Sequence, residues 1–312
     1  MTSSVFIDGA AGTTGLEIAE RLAGRDEFSL ITLDDEQRKN VAARRQALND
    51  ADFVILCLPD DAAKDAVAMT NSAKTQIIDA STAHRVDQNW TYGFPEYRKG
   101  QRDRIAAARF VSNPGCYPTG FLGLVAPLVA ADLIPEDWPY TVNAVSGYSG
   151  GGKALIERFE SGDGADIGFR TYGLDLSHKH VPEMQIHAGL GLAPIFSPAV
   201  VRAFRGMMVE VPLPISVMPG SDSPEDMRDA LAAHYAASPV VTVHDQLAPS
   251  ELLILNTQEP SDRLDLYVLG SPDNTQVRLL AMLDNLGKGA SGAAVQNLNI
   301  MAGLDETAGL RL

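Results

Sequence analysis

A short apolar run, Val5-Phe6-Ile7, is followed at once by Gly9-Ala10-Ala11-Gly12-Thr13-Thr14-Gly15 and then by Leu16-Glu17-Ile18-Ala19-Glu20-Arg21-Leu22. Buried strand, glycine turn and amphipathic helix in that order leave few folds open. Glycines spaced G-x-x-G-x-x-G let backbone approach a pyrophosphate, and the helix N-terminus behind them supplies partial positive charge. The spacing departs from G-x-G-x-x-G, so the turn alone would also serve as a ligand-free strand-to-helix link. Its context makes Gly9, Gly12, Thr13, Thr14 and Gly15 candidate dinucleotide-binding residues.

The alternation continues. Ser29–Leu33 reads as a strand, Glu36–Leu48 as a polar helix, and Phe53–Leu58 as a strand buried on both faces and ended by Pro59. Asp61–Thr70 reads as a helix and Gln76–Asp79 as the next strand. This predicts an α/β domain with a doubly wound, Rossmann-type parallel sheet. Asp34 and Asp35 are expected to close the second strand, where an acid holds a ribose hydroxyl and repels a 2′-phosphate. Arg38 and Lys39 follow within a turn and can offset that repulsion, so the residues leave NAD and NADP both open.

After Cys116 the pattern changes. A helix over Pro118–Ala131 leads to a strand at Tyr140–Val145, then to strands at Gly206–Val211, Val240–Val243, Asp265–Gly270 and Val277–Leu283. The last two pair across Ser271-Pro272-Asp273-Asn274, a turn sequence. A helix over Ser291–Leu304 closes the chain. The second domain is expected to be α+β with a mostly antiparallel sheet. The expected boundaries are 1–115 for the NAD(P)-binding domain, 116–283 for a catalytic and oligomerisation domain, and 284–312 for a C-terminal helical segment.

Composition narrows the partners. A chain of 312 residues is long enough for about two domains. Lys and Arg number 25 against 40 Asp and Glu, a formal net charge of −15, which argues against binding a nucleic-acid backbone. Small anions stay possible, since they need only a few local cations. The first residues carry no basic leader, no apolar stretch is long enough for a bilayer, and two cysteines make no disulfide framework. A cytoplasmic protein is expected, with no membrane partner.

Ser112-Asn113-Pro114-Gly115-Cys116-Tyr117-Pro118-Thr119-Gly120 places a cysteine at the start of a helix. Unpaired N–H groups and the helix dipole favour the thiolate there. A lone cysteine at a domain junction is more often inert, but the Asn-Pro-Gly and Pro-Thr-Gly flanks make Cys116 the candidate nucleophile. Cys57, inside an apolar strand, is expected to pack in the core.

Ser177-His178-Lys179-His180-Val181-Pro182-Glu183 holds two histidines two residues apart. In an extended segment they face one side. Either can move a proton at a thiol or carbonyl, and Glu183 can fix the imidazole tautomer. Metal ligation is the rival, but it lacks a supporting cluster elsewhere, and no metal is expected. His84, His187, His234 and His244 are taken as structural. Two glycine runs that carry a lysine, Val145–Lys153 and Asp284–Gly292, suggest sites for two anionic ligands.

Together these motifs resemble those of the N-acetyl-γ-glutamyl-phosphate reductases, in a compact form, over nearly the whole chain. That family is related in fold to aspartate-semialdehyde and glyceraldehyde-3-phosphate dehydrogenases. Asp79-Ala80-Ser81-Thr82-Ala83-His84-Arg85 stands where the family has D-L-S-A-D-F-R, with Arg85 kept, while Lys153 and Lys179 stand where arginines are common. The resemblance implies reduction of an acyl phosphate to a semialdehyde, with NADP as cofactor and Cys116 carrying a thioester. Arg38 joins the cofactor residues. His180 or His178 would serve as acid. Arg85, Asn113, Ser149, Lys153, Arg170, Tyr172 and Lys179 would bind substrate, with Tyr148 as a further contact. The C-terminal segment would return to the first domain and bring Asn285 and Gly287 near the cofactor. Alternatives are an aspartate-semialdehyde dehydrogenase or other acyl-phosphate reductase, and a non-enzymatic NAD(P)-binding sensor. The strand-rich second domain offers a sheet face for a homo-oligomer, dimer or tetramer. With −15 overall, every anion must be bound by a local positive pocket.

Overall fold

The computed structural model describes residues 2–245 and 250–312; Met1 lies outside them. By chain contacts these residues form two units. In the first, β1 (Ser3–Asp8), α1 (Thr13–Leu22), β2 (Phe28–Ile31), α2 (Val41–Asp50), β3 (Phe53–Leu56), α3 (Asp60–Met69), β4 (Gln76–Asp79), β5 (Thr91–Tyr92), α4 (Gln101–Ala107) and β6 (Phe110–Ser112) follow one another. Among the described residues the strands make one six-stranded sheet, parallel throughout, in the order β2-β1-β3-β4-β6-β5.

Near-continuous apolar strands are what a sheet covered on both faces requires. Val5, Ile7, Phe53, Ile55 and Ile78 point into one core with Ile18 and Leu22 of α1. Their neighbours Phe6, Val54, Leu56 and Ile77 point into the other, with Leu48 of α2 and Ala63 and Ala66 of α3. The helix expected over Glu36–Leu48 is divided: a 3-10 turn covers Gln37–Lys39, and the Asn40 side chain then caps α2 by accepting the N–H groups of Ala42 and Ala43. β2 ends at Ile31, so Asp34 and Asp35 stand beyond the strand rather than closing it.

The second unit contains α5 (Cys116–Ala130), β7 (Thr141–Gly147), α6 (Gly152–Glu160), β8 (Phe169–Thr171), α7 (Val181–Ala188), β9 (Ile195–Val201), β10 (Met207–Pro214), α8 (Pro224–Tyr235), β11 (Val241–Val243), β12 (Leu264–Gly270) and β13 (Gln276–Leu283). Its seven described strands run β11-β12-β13-β10-β7-β9-β8. Pairings β8–β9, β7–β10, β10–β13 and β12–β13 are antiparallel, while β7–β9 and β11–β12 are parallel. The β12–β13 hairpin turns at Ser271–Asn274, where Asn274 takes a positive φ of 56°.

α5 is apolar around its circumference and buried from Tyr117 to Leu128, packing on β10 and β13 and beside α7 and α8. Pro127 lies in its interior and cannot donate to the Gly123 carbonyl one turn earlier. Tyr235 of α8 supplies the missing donor, its hydroxyl 2.8 Å from that oxygen.

The final helix, α9 (Gly292–Met301), belongs to the first unit, where Ala294, Val295, Leu298, Ile300 and Met301 join the core beside α1 and α4. The units take Gly100–Pro114 and Ala290–Leu310 into the first, and Glu96–Lys99, Gly115–Gly289 and Arg311–Leu312 into the second. The last division between them falls at 310/311, after one at 289/290. Polar ties hold the outlying segments within the second unit. Lys288 is ion-paired with Glu96, and Asp262 is bound twice to Arg311.

Candidate active site

Cys116 is the first residue of α5, behind Gly115 at its N-cap (φ −72°, ψ 150°). The Gly115 N–H donates to Oε1 of Glu183 at 2.7 Å, and Glu183 is only 1% exposed. Glu183 lies in the first turn of α7, whose N-cap is His180, so one carboxylate latches two helix N-termini together. A negative side chain is favoured at both. On another side stands Gly289: a Cβ added there would lie 2.8 Å from Cβ of Cys116. This close approach, between residues far apart in the chain, has no local sequence signal.

The histidine segment is not extended. His180 has αR backbone (φ −83°, ψ −13°) and starts α7, with Pro182 in the first turn. The two rings nevertheless meet, with centroids 4.8 Å apart at 69°. The turn brings them together, not the two-residue alternation of a strand. The His180 N–H donates to Nδ1 of His178 at 3.2 Å, so a neutral His178 carries its proton on Nε2. Burial, helped by the Lys179 charge and opposed by Asp175, holds the His178 pKa below its ordinary value. The tautomer of His178 is thus set by main chain, and the Glu183 carboxylate holds the Gly115 amide.

Around these rings lies an aromatic wall. His178 meets Tyr172, Phe196 and Tyr117 edge-on at 5.5, 5.1 and 6.3 Å, and His180 is 5.9 Å from Tyr117. The Tyr172 hydroxyl donates to that of Tyr117 at 3.3 Å, which donates to the Ala199 carbonyl at 3.0 Å. Burial pushes Tyr172 up to about 12; the bond to Tyr117 opposes this and the charge of Cys116 adds to it. Arg170 of β8 lies over the Tyr172 ring at 4.8 Å. Cys116, His178, His180, Tyr172 and Arg170 therefore gather in one region of the second unit. Lys179 is exposed beside them.

Ser149 and Asn285 have internal partners. Nδ2 of Asn285 donates to the Ser149 hydroxyl at 2.9 Å, while its Oδ1 accepts the Gly206 N–H at 2.9 Å, all buried. They fasten the glycine loop before α6 to the loop after β13. Gly287 is there for close packing, since a Cβ would fall 1.8 Å from the Ser261 carbonyl oxygen. Of the two loop lysines, Lys153 is exposed in the first turn of α6, but Lys288 is buried and paired with Glu96. The expectation of a second anion site at Lys288 is corrected by that pair.

In the first unit the glycine turn lies at the carboxyl end of β1, where the strand order reverses between β1 and β3. Gly9 has φ +93°, and a Cβ there would strike the Cys57 carbonyl at 2.3 Å. The Gly12 N–H closes the turn onto the Gly9 carbonyl at 2.9 Å. Among the described residues no side chain caps α1 and no acid stands in its first turn, and Thr13 and Thr14 are half-buried. A bare, glycine-lined helix N-terminus fits a dinucleotide pyrophosphate. The Asp34 carboxylate accepts the N–H groups of Glu36 and Gln37 at 3.0 and 2.8 Å, and Asp35 is paired with exposed Arg38. Arg44, bound to Asp8 at 2.7 Å, is a further cation beside this end of β1, unmarked in the sequence. Burial, then Asp79 and Asp8, raise the Cys57 thiol to about 12.

Arg85 and Asn113 are also buried and bound. Arg85 donates to the carbonyls of Asn113 and Ala80 at 2.9 and 3.0 Å. Asn113 donates to Ala290 O at 2.9 Å and accepts from Asn297 at 3.1 Å. In this structure both tie loops together.

Two family descriptions match the chain: the semialdehyde dehydrogenase NAD binding domain over residues 4–108 and the semialdehyde dehydrogenase dimerisation domain over 116–285. N-acetyl-gamma-glutamyl-phosphate reductase 2 of Nostoc sp. is 49% identical, covering 98% of each chain. The N-acetyl-gamma-glutamyl-phosphate reductase of Rhizobium etli is 50% identical over 96% of this chain and 99% of its own, and that of Brucella ovis 50% over 97% and 100%. In fold, the chain is similar to aspartate semialdehyde dehydrogenase II from Vibrio cholerae (TM-score 0.70, 17% identity, 97% and 99% covered). It is also similar to a Candida albicans aspartate semialdehyde dehydrogenase with NADP (TM-score 0.63, 15% identity, 96% and 98% covered). With relatives at half identity along almost its full length, the chain belongs to the N-acetyl-γ-glutamyl-phosphate reductase family.

Proposed function

We propose that this protein reduces N-acetyl-γ-glutamyl phosphate to N-acetyl-L-glutamate 5-semialdehyde and phosphate, a step of arginine biosynthesis, with NADPH and a thioester on Cys116. The observation that carries the reading is Cys116 at the start of α5, its turn latched by Glu183 to the helix that begins at His180. The names of relatives at half identity supply the substrate.

The Cys116 thiolate forms a bond to the acyl carbon while the C–O bond to phosphate breaks, which divides a hard displacement into two accessible steps. Gly9, Gly12, Thr13, Thr14 and Gly15 would hold the cofactor pyrophosphate, and NADPH when bound supplies the reducing hydride. At the aldehyde level the C–S bond breaks and Cys116 leaves as thiolate. The proton taken up in a turnover ends on the released phosphate. An acid is needed at the carbonyl oxygen when it carries negative charge. His180 fits that role better than His178, because the lowered pKa of His178 keeps its ring neutral with Nε2–H as a donor.

Arg170 and Tyr172 are the proposed contacts for substrate oxygens, with exposed Lys179 and Lys153 as the remaining cations. Arg85, Asn113, Ser149, Asn285 and Gly287 would act by shaping the loops that hold them. NADP is favoured over NAD because the Asp34 carboxylate is committed to its own turn, while Arg38 and Lys39 stand exposed beyond β2. The first unit is proposed as the cofactor domain and the second as the catalytic and oligomerisation domain of a cytoplasmic homo-oligomer.

Phosphate-dependent reduction of NADP and of NAD, with N-acetylglutamate semialdehyde and aspartate semialdehyde compared, tests the reading. Preference for N-acetylglutamate semialdehyde with NADP is expected. Preference for aspartate semialdehyde, or no turnover with either, overturns it.

A further inference from the structure

The side chains of Lys288 and Glu96 form an ion pair at 2.9 Å with 2% and 0% of their surfaces exposed. Both belong to the second unit, yet neither is among the groups the proposed chemistry uses. Removing two charges from water carries a large penalty that their attraction does not reliably recover, so an apolar pair of similar volume serves stability as well or better. The location of the pair suggests what it does instead. Lys288 lies in a π-helical turn, Gly287–Ser291, a local irregularity that recurs at functional sites. The next residue is Gly289, whose missing Cβ would lie 2.8 Å from Cβ and 3.3 Å from Cα of Cys116.

The turn is fixed at both of its sides. Asp284 accepts the Gly289 N–H through its carbonyl at 3.0 Å, and its carboxylate is held by Arg205 at 2.8 Å. Glu96 is anchored in turn, because Nε2 of His234 donates to its carbonyl at 2.8 Å. A displacement of Lys288 is carried to Gly289, the next residue, whose glycine surface lies close against Cβ and Cα of Cys116.

We propose that Glu96 and Lys288 are positioning residues: their buried pair clamps the Gly287–Gly289 segment against Cys116 and sets the sulfur for attack. This rests on the reading of Cys116 as nucleophile and adds two residues to its support.

The test uses the full-length protein with Glu96→Leu and Lys288→Met together, which removes both charges and leaves no buried charge unpaired. Iodoacetamide labelling of Cys116, followed by peptide mass spectrometry without substrate, reports the sulfur directly. Labelling and kcat are expected to fall together by about 10- to 100-fold, with KM within about twofold and the thermal midpoint held. Lys288→Arg with Glu96 retained is expected to recover part of both rates. If the double variant does not fold, Glu96→Gln, which keeps the shape and an acceptor, decides by the same labelling rate. Labelling within about twofold of the parent in the variant that folds overturns the proposal, even if turnover falls. A parent that labels readily but neither reduces the acyl phosphate nor oxidises the semialdehyde would sink the proposed reaction and leave this inference standing.

Discussion

The Glu183 carboxylate and the Gly115 amide meet at 2.7 Å, so the peptide just before the nucleophile is gripped by a buried charge from the helix that carries the acid. Charge-assisted hydrogen bonds of this kind contribute about 1.5–3 kcal/mol. Glu183→Gln keeps the length and one acceptor, and is expected to retain most turnover. Glu183→Ala is expected to lower kcat about 100-fold, because the Cys116 turn loses its anchor. Steady-state kinetics with thermal melts of both variants check this. Equal loss in the two would mean that the carboxylate acts by ionisation and not as an anchor.

Tyr235 and Pro127 share one carbonyl. Since Pro127 cannot donate to Gly123 O and Tyr235 does, Tyr235→Phe leaves a buried acceptor unpaired and should cost about 1–3 kcal/mol. Pro127→Ala restores a main-chain donor at that place. In its background the cost of Tyr235→Phe should shrink, and denaturant unfolding of the four proteins measures the difference. Strict additivity would contradict the account of α5.

The two cysteines should separate cleanly. With its thiol raised to about 12, Cys57 stays protonated and slow toward alkylating agents in the folded protein. Labelling at mildly alkaline pH is expected to modify Cys116, and Cys57 only after unfolding. The raised value also means that ionisation of Cys57 opposes folding, so its contribution is present below its ordinary value of 9.0 and is lost as pH rises toward 12. Early labelling of Cys57 in the native protein would contradict its raised thiol pKa.

His178 gives the opposite pH dependence. Its folded pKa is depressed, so as pH falls the unfolded chain takes up the proton first and stability declines. The loss begins near the ordinary value of 6.5 and ends below the depressed one. Unfolding midpoints from neutral to mildly acidic pH should show this slope in the parent and a shallower one in His178→Gln. An unchanged slope would place the sensitivity elsewhere.

Legibility followed locality. The strands β1, β3 and β4 are apolar runs with glycine, proline or acid at their ends, and each was readable where it stands. β9 was hidden by Pro198, a residue that normally argues against an internal strand. α7 is short and carries no clear apolar stripe, so the histidine segment reads as extended although it opens a helix. α8 was legible in principle, because Ser223 and Asp226 make a capping box around Pro224. In the site, Cys116 and the two histidines stand out by residue type and setting. The grip of Glu183 on Gly115, the contact of Gly289 with Cys116 and the burial of Lys288 depend on residues distant in sequence, and no local pattern encodes them. Ser149, Asn285, Arg85 and Asn113 read as ligand contacts, and the fold also gives each an internal partner that no local pattern announces.

The most direct measurement is the mass of the protein after mixing with freshly generated N-acetyl-γ-glutamyl phosphate in the absence of NADPH. An N-acetylglutamyl adduct is expected on the Cys116 peptide, released by later addition of NADPH and absent in Cys116→Ala. Turnover by Cys116→Ala at the parent rate, or an adduct mapped to another residue, would contradict the account.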